Sequence, residues 1–140
     1  MSIICIDFDG TCVTHEYPNI GKDIGAVPVL KDWVNRGHKL ILWTMRSGRS
    51  WKSSDTHIPW SVEFREACEW FVDNDLSLFG FNENPNQSWS TSPKAYANYY
   101  VDDSALGCPL KFDPALSDRP FVDWDEVSKL FDEFEKEAEE

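Results

Sequence analysis

Residues 3–12 read IICIDFDGTC, so Asp7 and Asp9 directly follow an apolar, β-branched run. A second acidic pair, Asp102 and Asp103, closes the stretch YYVDD, and two further polar residues stand at similar junctions: Thr44 after LILW and Lys94 in SPK. Carboxylates gathered a few ångströms apart raise one another's pKa or repel. A bound cation removes that conflict. An all-oxygen set suits a hard ion, and one or two direct carboxylates helped by water and substrate phosphate fit Mg²⁺ better than a Ca²⁺ cage. No Cys or His is spaced for zinc. The matching chemistry is displacement at phosphorus. Asp7 is the candidate nucleophile, giving an aspartyl-phosphate. Asp9 is placed to protonate the leaving oxygen and then to deprotonate the hydrolytic water. Gly10 lets the turn bend tightly, while Thr44 and Lys94 hold phosphoryl oxygens and, with the cation, offset charge repulsion.

The elements that must position these residues are legible in the patterning. Ile3–Ile6 is a continuous apolar run that suits a strand buried on both faces of a parallel sheet. Val27, Leu30, Trp33 and Val34 recur at helical spacing between Pro28 and Gly37, and Leu40–Trp43 is the next apolar run. Strand, helix, strand implies a right-handed crossover that lays strand two beside strand one. Residues 46–59 are polar, without periodicity, and long for a connection, which favours a functional or mobile loop. Phe64, Ala67, Cys68, Phe71 and Val72 mark a helix, Leu78–Phe81 a third strand, and residues 82–92 a second polar loop. Ser92 and Pro93 read as the N-cap and first position of a short helix carrying Lys94. Tyr99–Val101 is the fourth strand, Pro109–Phe112 a weaker fifth, and Asp123 with Glu126 a capping box opening a final helix through Val127, Leu130, Phe131 and Phe134. In an open α/β sheet, strand ends and the starts of following helices share the carboxyl edge. Asp7, Asp9, Thr44, Lys94, Asp102 and Asp103 therefore belong to one edge.

DFDGT at 7–11, Thr44 in LILWT, Lys94 in SPK and VDD at 101–103 resemble, in order, the four motifs of the haloacid dehalogenase (HAD) superfamily of phosphohydrolases. With the elements above, the resemblance implies a Rossmann-like three-layer α/β/α sandwich with a mainly parallel sheet of about five strands. It also implies hydrolysis of a phosphomonoester. The nucleophile would be Asp7, with Mg²⁺ on its carboxylate, on the backbone carbonyl of Asp9 and on Asp102, while Asp103 acts through water or Lys94. The intervals Thr11–Thr44 and Thr44–Lys94 hold only loops and single helices, so neither accommodates a cap. Residues 1–140 are expected to form one capless HAD-like core domain, with an acidic tail frayed from about residue 133. An open site admits large substrates or a covering partner subunit, which leaves room for a homo-oligomer.

Gly10, Thr11, Arg46 and Arg49 are the candidate substrate-binding residues; Arg46, Arg49 and Lys52 would meet a leaving group or a second phosphate at the site edge. Trp33, Trp43 and Trp70 read as packing residues, whereas Trp51, Trp60 and Trp89 could wall a pocket. Cys12 reads as a packing thiol. Lys and Arg number 13 against 25 Asp and Glu, a net charge of −12, which disfavours nucleic acid, including a polynucleotide end, and anionic membranes. A small phosphorylated substrate is expected. The four cysteines lack C-x-x-C spacing, no leader is evident and no run spans a bilayer, which together read as a reducing cytoplasm. Two rival readings are a phosphoaspartate signalling domain, whose motif order differs, and a noncatalytic phospholigand-binding protein.

Overall fold

A computed structural model describes residues 1–46 and 61–139. β1 (Ile3–Ile6) is central, pairing in parallel with β2 (Lys39–Leu42) on one side and β4 (Tyr99–Val101) on the other. β3 (Leu78–Phe81) continues the sheet beyond β2, also in parallel, giving the order β3-β2-β1-β4. The chain is thus α/β and Rossmann-like, with strand two beside strand one as the crossover rule requires.

Among the described residues, three helices connect and flank these strands. α1 (Ala26–Asn35) ends because Gly37 takes φ 92°, which lets its N–H reach the Val34 carbonyl and the His38 N–H reach the Trp33 carbonyl, each at 3.0 Å. That double closure satisfies carbonyls the helix end would otherwise leave open. α2 (Val62–Asp73) is capped by Ser61, whose hydroxyl accepts the Phe64 N–H at 3.1 Å. α3 (Trp124–Glu139) opens on Asp123, whose carboxylate accepts the Glu126 N–H at 3.3 Å.

Alternate strand residues face opposite ways, and the two faces are covered differently. Ile4, Ile6, Leu40 and Leu42 share one core with residues of all three helices, among them Leu30, Trp33, Phe71, Val127 and Phe131. At a fully buried position such as Ile6, truncation to alanine removes about 2–5 kcal/mol. On the other face Cys5 and Ile41 pack under Ala95, in the segment between β3 and β4.

That segment is where the structure departs from the expected short helix. Residues 93 and 94 form a bend instead. Ser92 accepts the Lys94 N–H at 3.2 Å, the Gln87 side chain binds the Tyr96 N–H at 2.7 Å and the Lys94 carbonyl at 3.1 Å, and Asn84 donates to the Tyr96 carbonyl at 2.9 Å. Side chains thereby take the backbone groups that a helix would have paired. Two other boundaries move. The weak fifth strand is β5 (Leu110–Lys111), which pairs antiparallel with β6 (Phe121–Val122) outside the main sheet. The acidic end is helical to Glu139; Glu135 accepts the Ser2 hydroxyl at 2.5 Å, and Phe134 stacks on Tyr99.

Candidate active site at the carboxyl edge of the sheet

Asp7 leaves β1 with its N–H on the Val101 carbonyl of β4 at 3.0 Å, so the first and last acidic segments are tied together by backbone. Phe8 turns inward and is fully buried, its ring 5.7 Å from Trp70 and 6.4 Å from Phe71. Anchoring Phe8 fixes the two aspartates beside it. The turn that follows is also held from outside: Val122 donates to the Gly10 carbonyl at 3.0 Å and the Trp124 indole to the Thr11 carbonyl at 2.7 Å. Gly10 sits at φ 81°, where a side chain is strained.

Carboxylate oxygens of Asp7, Asp102 and Asp103 lie within 4.8 Å of one another. The Thr11 hydroxyl donates to Asp7 Oδ2 at 2.8 Å. Burial nonetheless pushes the Asp7 carboxyl up to about 8; the Thr11 bond works against that rise, and Asp102 and Asp103 add to it. Next to it, Cys12 is fully buried and points its sulfur at the Asp7 carbonyl, 3.3 Å away. Burial holds its thiol well above the usual value, as suits a packing residue.

Asp9 is engaged elsewhere. Its two oxygens accept Arg46 Nε at 2.8 Å and Nη2 at 2.7 Å, a bidentate pair in which the Arg46 side chain is only 1% exposed. The remaining guanidinium donors reach the carbonyls of Asn19 at 2.8 Å, Glu63 at 3.0 Å and Pro18 at 3.4 Å, with Phe8 and Tyr17 on its faces. Arg46 is therefore not the exposed substrate-binding residue expected from sequence. It is a buried clamp joining the DFDGT turn, the 17–19 loop and the start of α2.

Other sequence-selected residues divide. Thr44 faces the same cleft as Asp7 and Asp102; its N–H goes to Asn82 Oδ1 at 2.8 Å and its hydroxyl accepts the Arg46 N–H at 3.1 Å. Gly10 and Thr11 do not present themselves to substrate: the Gly10 N–H is spent on the Val13 carbonyl at 2.7 Å, the Thr11 N–H on the Phe8 carbonyl at 3.1 Å, and Thr11 is fully buried. Lys94 does not join the cluster either. Without its helix it is exposed, with its ammonium 5.3 Å from the Tyr100 ring centroid. Arg49, Lys52, Trp51 and Trp60, with most of the 46–59 loop, lie outside the described residues.

Two residues that sequence reasoning passed over belong to the site. Asn82, at φ 54°, orients the Thr44 backbone. His15 holds Asp103 through Nε2 and Oδ2 at 2.8 Å, occupying the place at Asp103 that Lys94 was expected to fill. The resulting cleft, of about 490 Å³, is lined by Asp7, Asp9, Asp102 and Asp103 together with His15, Tyr17, Thr44, Ser104, the Asp9-bound Arg46 and the fully exposed Met45. A second hollow, of about 240 Å³ between β4 and α3, has no carboxylate, histidine, lysine or arginine in its lining.

No protein-family model and no curated protein matches the chain. Among solved structures it is similar to a conserved protein from Bacteroides thetaiotaomicron, with 29% identity and a TM-score of 0.70 over 94% of this chain and 90% of that one. The two share their fold over nearly their whole lengths. Among the described residues no helix is long and apolar enough to cross a membrane.

Proposed function

We propose that the chain is a Mg²⁺-dependent phosphatase that hydrolyses a phosphomonoester through an aspartyl-phosphate on Asp7, as a capless relative of the HAD phosphohydrolases. The observation that carries this reading is the meeting of Asp7, Asp102 and Asp103 oxygens within 4.8 Å at the ends of adjacent parallel strands. The motif order from DFDGT to VDD supports it as well.

The donor set fits the ion. Three carboxylates share a small, partly buried volume, and burial, with Asp102 and Asp103 adding to it, raises the Asp7 pKa there. The carboxylates of Asp7, Asp102 and Asp103, with the Asp9 carbonyl that the resemblance implies, would hold Mg²⁺. Bound there, the ion neutralises charge on the nucleophile and on the phosphoryl oxygens.

In the first step an Asp7 oxygen bonds to phosphorus as the bond to the leaving oxygen breaks, and that oxygen departs with the electron pair and takes a proton. In the second, water attacks phosphorus, loses a proton, and Asp7 leaves as carboxylate. Both protons are assigned to Asp9. Arg46 takes one lone pair on each Asp9 oxygen, so transfer uses the remaining lone pairs or parts one Arg46 bond. The Thr44 hydroxyl, which accepts the Arg46 N–H, keeps its proton for a phosphoryl oxygen. Lys94 is given no step.

Turnover of p-nitrophenyl phosphate with Mg²⁺, beside Asp7→Asn, tests the reading, and a metal-saturated wild type no faster than the variant would sink it. A panel of nucleotides, sugar phosphates and 3′- or 5′-phosphorylated oligonucleotides then assigns the substrate. The net charge of −12 favours small phosphate esters over polynucleotide ends.

A further inference from the structure

We propose that His15 is a positioning residue for the cation site: its Nε2–H fixes Asp103 so that the other carboxylate oxygen stays turned toward Thr11 and Asp7. The inference rests on the Mg²⁺ reading above and deepens it.

The contact is built from several directions. His15 Nε2 lies 2.8 Å from Asp103 Oδ2, with the two side chains only 14% and 11% exposed. A carboxylate accepts, so the nitrogen facing it carries the hydrogen. Asp103 is held a second time through its backbone, whose N–H donates to Thr11 Oγ1 at 3.0 Å. Its free oxygen, Oδ1, faces the same hydroxyl at 3.4 Å, and that hydroxyl donates to Asp7 Oδ2 at 2.8 Å. His15, Asp103, Thr11 and Asp7 thus form one chain of contacts.

Gly10 gives the independent observation. A Cβ on Gly10 would overlap both His15 Nε2 and Asp103 Oδ2. The glycine of the turn is therefore required for its positive φ and also because this hydrogen-bonded pair lies directly against its Cα. Among the described residues Asp102 has no such partner; its Oδ1 accepts the backbone N–H of Ser104 at 2.8 Å, a local turn contact. The two acids are held by different means, and only Asp103 depends on a distant side chain.

Partners that orient a metal-binding side chain alter metal affinity about 10- to 100-fold when removed. Mg²⁺ binding is therefore measured directly, by calorimetry and by the Mg²⁺-dependent rise in melting temperature, in the wild type, His15→Ala, His15→Gln and Asp103→Asn. Wild type is expected to bind, His15→Ala to need about 10- to 100-fold more Mg²⁺, and His15→Gln, which returns an N–H near the Nε2 position, to recover most of the affinity. Combining His15→Ala with Asp103→Asn should weaken binding no further than the worse single variant, because His15 acts only through the Asp103 carboxylate that Asp103→Asn already removes. Equal Mg²⁺ affinity in wild type and His15→Ala overturns the inference and leaves the phosphatase reading intact. A wild type with no Mg²⁺ response overturns both. A loss in His15→Ala that His15→Gln does not recover, with additive loss in the double variant, shows a role in folding alone and overturns the inference as well.

Discussion

Asp7 should destabilise the metal-free protein, and replacing it by asparagine should make that protein more stable. Its carboxyl ionises at 3.8 in an unfolded chain and at about 8 in the fold, chiefly because of burial. Between those values the folded state holds a proton that the unfolded state has released, so the free energy of unfolding falls as pH rises from about 4 to about 8. At pH 7, about three pH units above 3.8, the penalty at about 1.4 kcal/mol per unit approaches about 4 kcal/mol. Water at the open cleft and rearrangement among the three acids reduce it, so about 2–4 kcal/mol is expected. Asp7→Asn removes the charge and keeps an oxygen to accept the Thr11 hydroxyl.

Urea unfolding in EDTA at about pH 5, 6, 7 and 8 reads this directly. Wild-type stability should decline across the series, the variant should not follow, and the gap should widen toward high pH. Saturating Mg²⁺ should stabilise the wild type and narrow the gap, because the ion binds the folded state only. Wild type and variant running parallel across the series in EDTA would refute the reasoning, since Asp7 would then ionise in the fold as easily as in the unfolded chain.

Further tests address the neighbours. Arg46→Ala leaves the Asp9 carboxylate without its two guanidinium donors and frees three backbone carbonyls, for an expected loss of about 3–5 kcal/mol in urea unfolding. Arg46→Lys should recover little of it, since an ammonium cannot reproduce the fork. Asp9→Asn should slow hydrolysis of an alkyl phosphate more than that of p-nitrophenyl phosphate, whose leaving group needs no proton; equal slowing would remove Asp9 from the leaving-group step. His38 is held below 6.5 by burial, and its Nδ1 accepts the Ser2 N–H at 3.0 Å. Its contribution is complete above 6.5 and lost as pH falls through the lower folded value, so in the Asp7→Asn background stability should drop between about pH 7 and 5, with His38→Gln flattening the drop.

Where sequence and structure agree, the cause is local. β1, β3 and β4 keep their expected limits because each is a short apolar run stopped by polar residues, and buried parallel strands read that way. Once those strands lie side by side, Asp7, Asp102 and Asp103 meet, since a parallel sheet brings its carboxyl ends to one edge. Where the two part, the deciding bonds come from residues outside the few positions that a capping or periodicity rule reads. Gln87 and Asn84 reach across the loop to take backbone groups around Lys94 and Tyr96, which no N-cap rule at Ser92 could anticipate. The pairing of His15 with Asp103 crosses 88 positions and has no spacing signature. α3 persists through its acidic end because tertiary contacts at Phe134 and Glu135 outweigh charge repulsion along it.

The same long-range bonding redistributes charge in the cleft, and this bears on the chemistry. In sequence, Arg46 and Lys94 look like the cations that would face a phosphate. In the fold Arg46 is committed to Asp9 and three carbonyls, and Lys94 lies over Tyr100. Among the described residues, the basic side chains lining the cleft are then a histidine bonded to Asp103 and the Arg46 already paired with Asp9. A phosphate dianion approaching three carboxylates on those terms meets net repulsion, which an arginine already paired with Asp9 and an imidazole already bonded to Asp103 do not cancel. The protein's own bases stabilise the acids' geometry more than they balance their charge. That division makes dependence on an added divalent ion a sharper expectation than the acidic cluster alone would give: phosphatase activity surviving exhaustive EDTA treatment would contradict it directly.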